Sequence, residues 1–95
     1  MLKSEKFGIK KYWDSIYRGE IELRKRHGKG VIVYDKGRVY EGDWVQDKRE
    51  GKGFELFANK NTYQGEFKNN KPYGKGIFTW ANGEIYDGEW QDGIK

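Results

Sequence analysis

Tyr40-Glu41-Gly42-Asp43-Trp44-Val45-Gln46-Asp47-Lys48-Arg49-Glu50-Gly51-Lys52-Gly53 is the stretch that decides how this chain folds. Its first five residues put Tyr40, Gly42 and Trp44 on one face and Glu41 and Asp43 on the other, the period of a half-buried strand. A polar link from Gln46 to Gly51 follows, and then a second strand, Gly53 to Phe57. The whole stretch recurs. Tyr17, Tyr40, Tyr63 and Tyr86 stand 23 residues apart, and Gly19, Gly42, Gly65 and Gly88 follow in the same phase. An acid comes next (Glu20, Asp43, Glu66, Glu89), then a large apolar residue (Ile21, Trp44, Phe67, Trp90). Gly-Lys-Gly recurs at 28–30, 51–53 and 74–76, and an aromatic recurs at Tyr34, Phe57 and Trp80. A fixed period of this size is the mark of a repeat architecture.

The repeat implies an all-β fold: an elongated, single-layer array of consecutive antiparallel β-hairpins. Residues 17–39, 40–62 and 63–85 are whole units, and 86–95 is a partial fourth. Residues 1–16 form a basic segment whose part from Gly8 to Ile16 resembles a second strand with one residue deleted before Ser15. The array therefore runs half unit, three units, half unit, as a capped array or as a fragment of a longer one. The link back to the next unit is expected to be the tighter one, since Asn82-Gly83 is a strong hairpin-turn signal. Glycine weakens a strand, so Gly42 needs a reason. It leaves room for an aromatic ring to lie flat on the backbone, the device by which an aromatic covers a cross-strand glycine. One hairpin is marginal in water, whereas stacked hairpins bury a continuous core.

Composition agrees. The chain has 95 residues, 36% of them charged and 17% aromatic, with 14 Gly, 1 Pro and no Cys. That aromatic content argues against disorder despite a mean hydropathy of -1.10. Without cysteine there is no disulfide framework to suggest secretion. No segment reads as a signal peptide or membrane span, so the expected address is cytoplasmic. The net charge of +4 is uneven: residues 1–30 hold 9 Lys/Arg against 4 Asp/Glu, and residues 31–95 hold 10 against 11.

No constellation for catalysis emerges, and none for a cofactor or metal. His27 sits alone in a loop position filled elsewhere by Glu50 and Tyr73. The in-phase acids come once per repeat, whereas a hard-cation site gathers several oxygens at one point. They read as a strand face opposite basic residues of the neighbouring strands. Gly-Lys-Gly lacks the rest of a phosphate loop and leads into a strand. Aromatics beside basic residues could stack nucleic-acid bases, but their strict period assigns them to a core. Neither nucleic acid nor a small-molecule substrate is expected.

The pattern Tyr-x-Gly-x-Trp, Gly-x-Gly, Gly on a 23-residue period resembles the MORN repeat, and residues 40–53 carry its signature most fully. The resemblance covers residues 17–95. It departs from the pattern where Ile21 and Phe67 replace Trp and where Lys60 replaces a late Gly. It implies a twisted hairpin array that is accessory rather than catalytic. Similar repeats dock on proteins or sit near membranes, as in junctophilins, plant phosphatidylinositol-phosphate kinases and the radial-spoke heads of cilia. The expected partner is a protein, a helix or peptide held along the aromatic face, or a second array. Tyr40, Trp44, Phe57, Tyr63, Phe67, Trp80, Tyr86 and Trp90 are the candidate contacts. The location this suggests is a cytoskeletal or ciliary assembly. The alternative is peripheral binding to an anionic membrane or phosphoinositide through Lys10, Lys11, Arg18, Arg24, Lys25, Arg26 and Lys29.

Overall fold

A computed structural model describes residues 6–95. The basic segment's first five residues lie outside the described part. Eight strands follow one another: β1 (Phe7–Lys11), β2 (Ser15–Glu22), β3 (Lys25–Tyr34), β4 (Val39–Val45), β5 (Lys48–Leu56), β6 (Thr62–Lys68), β7 (Lys71–Thr79) and β8 (Ile85–Trp90). They form one sheet in sequence order, each antiparallel to the next. The molecule measures 48 × 27 × 16 Å, a single layer lengthened by stacking hairpins. Within the segment read as a half unit, β1 places Gly8 opposite Gly19, while Ser15 and Ile16 already belong to β2.

The connections reverse the expected order of tightness. The link placed at Gln46 to Gly51 is only Gln46-Asp47, both left-handed (φ 47° and 71°), and β5 resumes at Lys48. Leu23-Arg24 and Asn69-Asn70 turn in the same way. Two consecutive left-handed residues make the type I′ turn, whose twist matches that of the strands it joins. Gly51 resembles a loop residue in the sequence because it needs φ +93°, yet it lies inside β5. The return links are longer, with three-residue loops at 35–37, 58–60 and 81–83. Gly83 in the last closes onto Trp80 (2.9 Å), and Lys60 takes the same part for Phe57 (2.9 Å). Phe57 therefore stands just past β5 instead of ending it.

Rows of residues in register cross the strands. One row is glycine throughout: Gly8, Gly19, Gly30, Gly42, Gly53, Gly65, Gly76 and Gly88 pair in succession. Beside it, on the same face, run Tyr17, Ile32, Tyr40, Glu55, Tyr63, Phe78 and Tyr86. Each tyrosine leans across the glycine row. The ring of Tyr40 occupies the space over Gly53, where a Cβ would lie 2.5 Å from it, and Gly42 instead abuts the backbone of Lys52 and Gly53. Tyr17 over Gly30 and Tyr63 over Gly76 repeat this seat. The ring thus rests on the glycine opposite the one expected to bear it.

The repeated acid completes the unit. Opposite Glu20, Asp43 and Glu66 the next strand bulges: Gly19 and Ile21 pair with Gly30 and Arg26, and the same step recurs after Gly42 and Gly65. A bulge leaves a backbone group without a ladder partner. The tyrosine hydroxyl fills that need by donating to the acid's carbonyl: Tyr17 to Glu20 (2.7 Å), Tyr40 to Asp43 (2.8 Å), Tyr63 to Glu66 (2.8 Å). The acid's carboxylate turns back and accepts the N–H of the lysine in Gly-Lys-Gly, Lys29 to Glu20 at 3.1 Å and Lys52 to Asp43 at 3.0 Å. The acids do lie near lysines, as Lys29 Nζ on Asp43 Oδ1 at 2.6 Å shows, but their repeated role is to close the bulge.

The core is one continuous chain of edge-to-face rings. It runs Tyr17, Trp44, Tyr40, Phe67, Tyr63, Trp90, Tyr86, with centroids 5.0–5.5 Å apart. Such pairs add about 0.5–1.5 kcal/mol each beyond area burial. A single sheet has no second layer to cover this face, and arginines do so instead. Arg26 lies over Trp44 (4.5 Å to the centroid) and pairs with Asp47 (2.9 Å). Arg49 spans Tyr40 and Phe67 (5.2 and 5.3 Å) and pairs with Glu55, which is 2% exposed and is also held by Arg38.

Candidate functional site

The aromatic candidates divide by burial. Tyr40, Trp44, Tyr63, Phe67 and Trp90 are buried and belong to the ring chain, so their surface is spent on one another. Trp44 and Trp90 also use their indole N–H groups internally, on the carbonyls of Gly30 and Gly76, both at 3.2 Å. Phe57, Trp80 and Tyr86 keep some accessible ring at the margin of the core, with Phe78 between Phe57 and Trp80. Lys95 stands over Trp80 and Tyr86 (4.6 and 5.8 Å). The face expected to hold a partner is largely the face that the molecule fills with its own rings.

The free surface is on the other side. Side chains alternate along each strand, so the neighbours of every row glycine project away from the tyrosines. They border a trough of about 810 Å³ that runs lengthwise from β2 to β8 with glycine backbone as its floor. One wall is the cross-strand row Arg18, Val31, Glu41, Phe54, Gln64, Ile77 and Asp87. The other is a charge ladder in which Lys29, Lys52 and Lys75 face Asp43, Glu66 and Glu89. Phe54 and Ile77 are 37% and 40% exposed, unusual for large apolar residues near the middle of a sheet. Outside the trough, on the same face, a second row carries Ile16, Val33, Val39, Leu56 and Ile85. The trough was not apparent in the repeat because one wall varies from unit to unit and the other, the recurring lysines and acids, reads as a solvated strand face. The sequence signal was an apolar residue directly after Gly-Lys-Gly in all three units: Val31, Phe54 and Ile77.

The seven basic candidates do not converge. Lys10 is on the ring face, where its Nζ donates to the carbonyl of Arg24 (2.9 Å). Arg26 is held by Asp47 on that same face. Arg18 and Lys29 line the trough, and Lys29 is paired with Asp43. Lys11, Arg24 and Lys25 are exposed, the last two at the turn beside Leu23. His27 accepts the N–H of Gln46 on Nδ1 (3.1 Å) and points Nε2 at Glu22 (3.5 Å), a turn-side arrangement within one sheet end.

Burial and hydrogen bonding set the electrostatics of the repeat. Burial pushes the phenols of Tyr17 and Tyr63 up to about 12, and that of Tyr40 further. For Asp43, burial raises the carboxyl pKa, but hydrogen bonds from the Lys29 ammonium and the Lys52 N–H outweigh it, leaving the group below its ordinary value. Asp47 is lowered in the same way, with Arg26 donating from backbone and side chain. The buried phenols thus stay neutral, and Asp43 and Asp47 stay charged, across the neutral range. Among the described residues, no helix is long and apolar enough to cross a membrane.

The model of the MORN repeat family matches residues 17–37, 40–62, 63–85 and 86–95, in the register of the four tyrosines. No curated protein matches the chain. Four consecutive matches, each opening with one of the phased tyrosines and the first three holding its glycine seat, place the ring, the bulge and the glycine row within a known unit: the chain belongs to the MORN repeat family, and is a repeat-based binding module.

Proposed function

We propose that this array is a non-catalytic scaffold that holds a helical segment of a protein partner in the trough opposite the rings. The trough itself carries the reading: about 810 Å³ of open groove, floored by bare backbone and edged by exposed apolar residues. Neighbouring strands lie about 4.8 Å apart, so Val31, Phe54 and Ile77, two strands from one to the next, recur every ~10 Å. A helix rises about 10.5 Å in seven residues. A partner helix with an apolar residue at each seventh position therefore meets one trough residue per repeat, the anchor spacing of helix-in-groove recognition. From β2 to β8 the trough accommodates about 29 Å, or roughly 19 helical residues. The resemblance to repeats of cytoskeletal and ciliary proteins supports a place in a larger assembly. Peripheral attachment to an anionic membrane has less support, since the basic residues lie on both faces and Arg26 and Lys29 are already paired.

Photo-cross-linking tests the reading. With p-benzoylphenylalanine in place of Phe54 or of Ile77, both positions are expected to label one partner at sites about seven residues apart on a single helix. Absence of protein adducts at both positions, or equal labelling from Phe57 and Trp80 on the ring face, would overturn it. Flotation with anionic vesicles at low salt separates the membrane reading.

A further inference from the structure

The two ends of the sheet are complementary. In every complete hairpin, the tyrosine of the first strand seats its ring over a glycine of the next: Tyr17 over Gly30, Tyr40 over Gly53, Tyr63 over Gly76. Tyr86 on β8 is built the same way, with its hydroxyl on the carbonyl of Glu89 (3.0 Å), but among the described residues no strand pairs with the outer edge of β8 to supply its glycine. The three inner tyrosines are fully buried, and Tyr86 is only partly buried. At the other end, Gly8 on β1 belongs to the glycine row yet carries no tyrosine. Among the described residues, a Cβ there would meet only the tip of Ile21, a flexible side-chain end whose Cδ1 lies 2.8 Å away. One end presents a ring without a seat, and the other a seat without a ring.

We propose that a second copy of this chain docks end to end, β8 of one copy pairing antiparallel with β1 of the next in the register of the glycine row. Gly88 then faces Gly8, Asp87 faces Ile9, and the ring of Tyr86 lies over Gly8 in place of Lys95. β1 has the strand character that this edge requires, because its Gly8, Ile9 and Tyr12 match Gly30, Val31 and Tyr34 in the first full hairpin. Charge favours the same partner. β1 and the residue before it carry Lys6, Lys10 and Lys11 and no acid, and β8 carries Asp87 and Glu89 and no base. In this register Lys11 lies diagonal to Asp87 on the trough face, a contact that favours the pairing, whereas two β1 edges or two β8 edges bring like charges together. The join is heterologous, so it does not close on itself and the copies add in line. An exposed sheet edge is a template for such pairing, and the glycine row fixes its register. The proposal stands apart from the trough reading and holds whatever that groove binds.

Engineered cysteines test the register, because the chain has none of its own. β1 and β8 lie at opposite ends of the sheet, roughly 33 Å apart at ~4.8 Å per strand, far beyond disulfide reach. The double variant Ile9→Cys/Asp87→Cys can therefore cross-link only between copies. Mild oxidation is expected to give a ladder of multimers at least tenfold stronger than Lys11→Cys/Asp87→Cys, where the pair is displaced along the strand. In sedimentation, the weight-average mass of the unaltered chain is expected to rise with concentration and to fall back at high salt. Gly8→Val fills the seat while touching only Ile21 in its own fold, and is expected to stay monomeric with an unchanged circular dichroism spectrum. Equal ladders from both cysteine pairs, no ladder from either, or association that Gly8→Val leaves intact would overturn the proposal.

Discussion

The indole N–H of Trp44 donates to the carbonyl of Gly30, 3.2 Å away, across the joint between two repeats. Gly30 is also where the ring of Tyr17 rests. A single glycine is thus enclosed by the tyrosine of its own unit and the tryptophan of the following one. The unit is completed by its neighbour, the nearest-neighbour coupling that gives repeat proteins their cooperativity.

That joint should respond in steps. Trp44→Phe keeps the edge-to-face contacts, as Phe67 does one unit on, and loses a hydrogen bond, so it should cost about 1 kcal/mol. Trp44→Ala also removes the ring and should cost about 3–5 kcal/mol, enough to unfold much of a chain this size. Urea titration followed by tyrosine and tryptophan fluorescence measures both.

Glycines that look alike in the sequence should behave differently. A Cβ on Gly53 would lie 2.5 Å from the Tyr40 ring, and the ring has nowhere else to go, so Gly53→Ala should cost about 3 kcal/mol, the upper end for overpacking. Gly37 has nothing within 4 Å and a left-handed φ of +85°, so Gly37→Ala should cost only the backbone strain of about 1–2 kcal/mol. Thermal unfolding of the two variants should rank them in that order.

The contrast shows where the sequence was readable. Residues that recur at one spacing, such as Tyr40 or Gly53, carry the contacts that each unit must repeat, so the hairpin array and its ring ladder were legible. The turns were misplaced because Gly51 has a left-handed backbone in the middle of a strand, in the bulge opposite Asp43, and a left-handed glycine resembles a loop in one dimension. The trough was missed because its recurring lysines and acids read as a solvated strand face, and Glu55 because it occupies a position that varies. Glu55 takes the place that Ile32 and Phe78 take in the units on either side, and only the guanidiniums of Arg49, six residues earlier on β5, and of Arg38, in the link before β4, make a carboxylate acceptable there.

Removing that carboxylate leaves Arg49 uncompensated over the rings. Glu55→Ile should therefore cost about 3–5 kcal/mol, the usual penalty for breaking a buried pair from one side. The double variant Glu55→Ile/Arg49→Leu should recover most of it, since the same row already accepts Ile32. A double-mutant cycle by chemical denaturation gives the coupling.

Stability should fall at both extremes of pH. Asp43 and Asp47 have lowered pKa values in the fold, so what they contribute is present above the ordinary carboxyl value of 3.8 and is lost as pH drops through their folded values. Tyr17 and Tyr63 have raised pKa values, so their contribution is whole below 10.0 and disappears as pH rises toward about 12, when buried phenols must ionise. Melting temperature against pH should show a plateau between these limits. The alkaline edge should coincide with tyrosinate absorbance.

The unbroken line of glycines turns the sheet into a ruler. Each further 23-residue unit adds two strands, and with them about 10 Å of length and one more mark on the same scale. Duplicating or deleting a whole unit changes the reach of the molecule and leaves every other mark in place. One residue gained or lost within a strand would instead turn its rings to the opposite side. Such a molecule can be lengthened by whole copies without being redesigned.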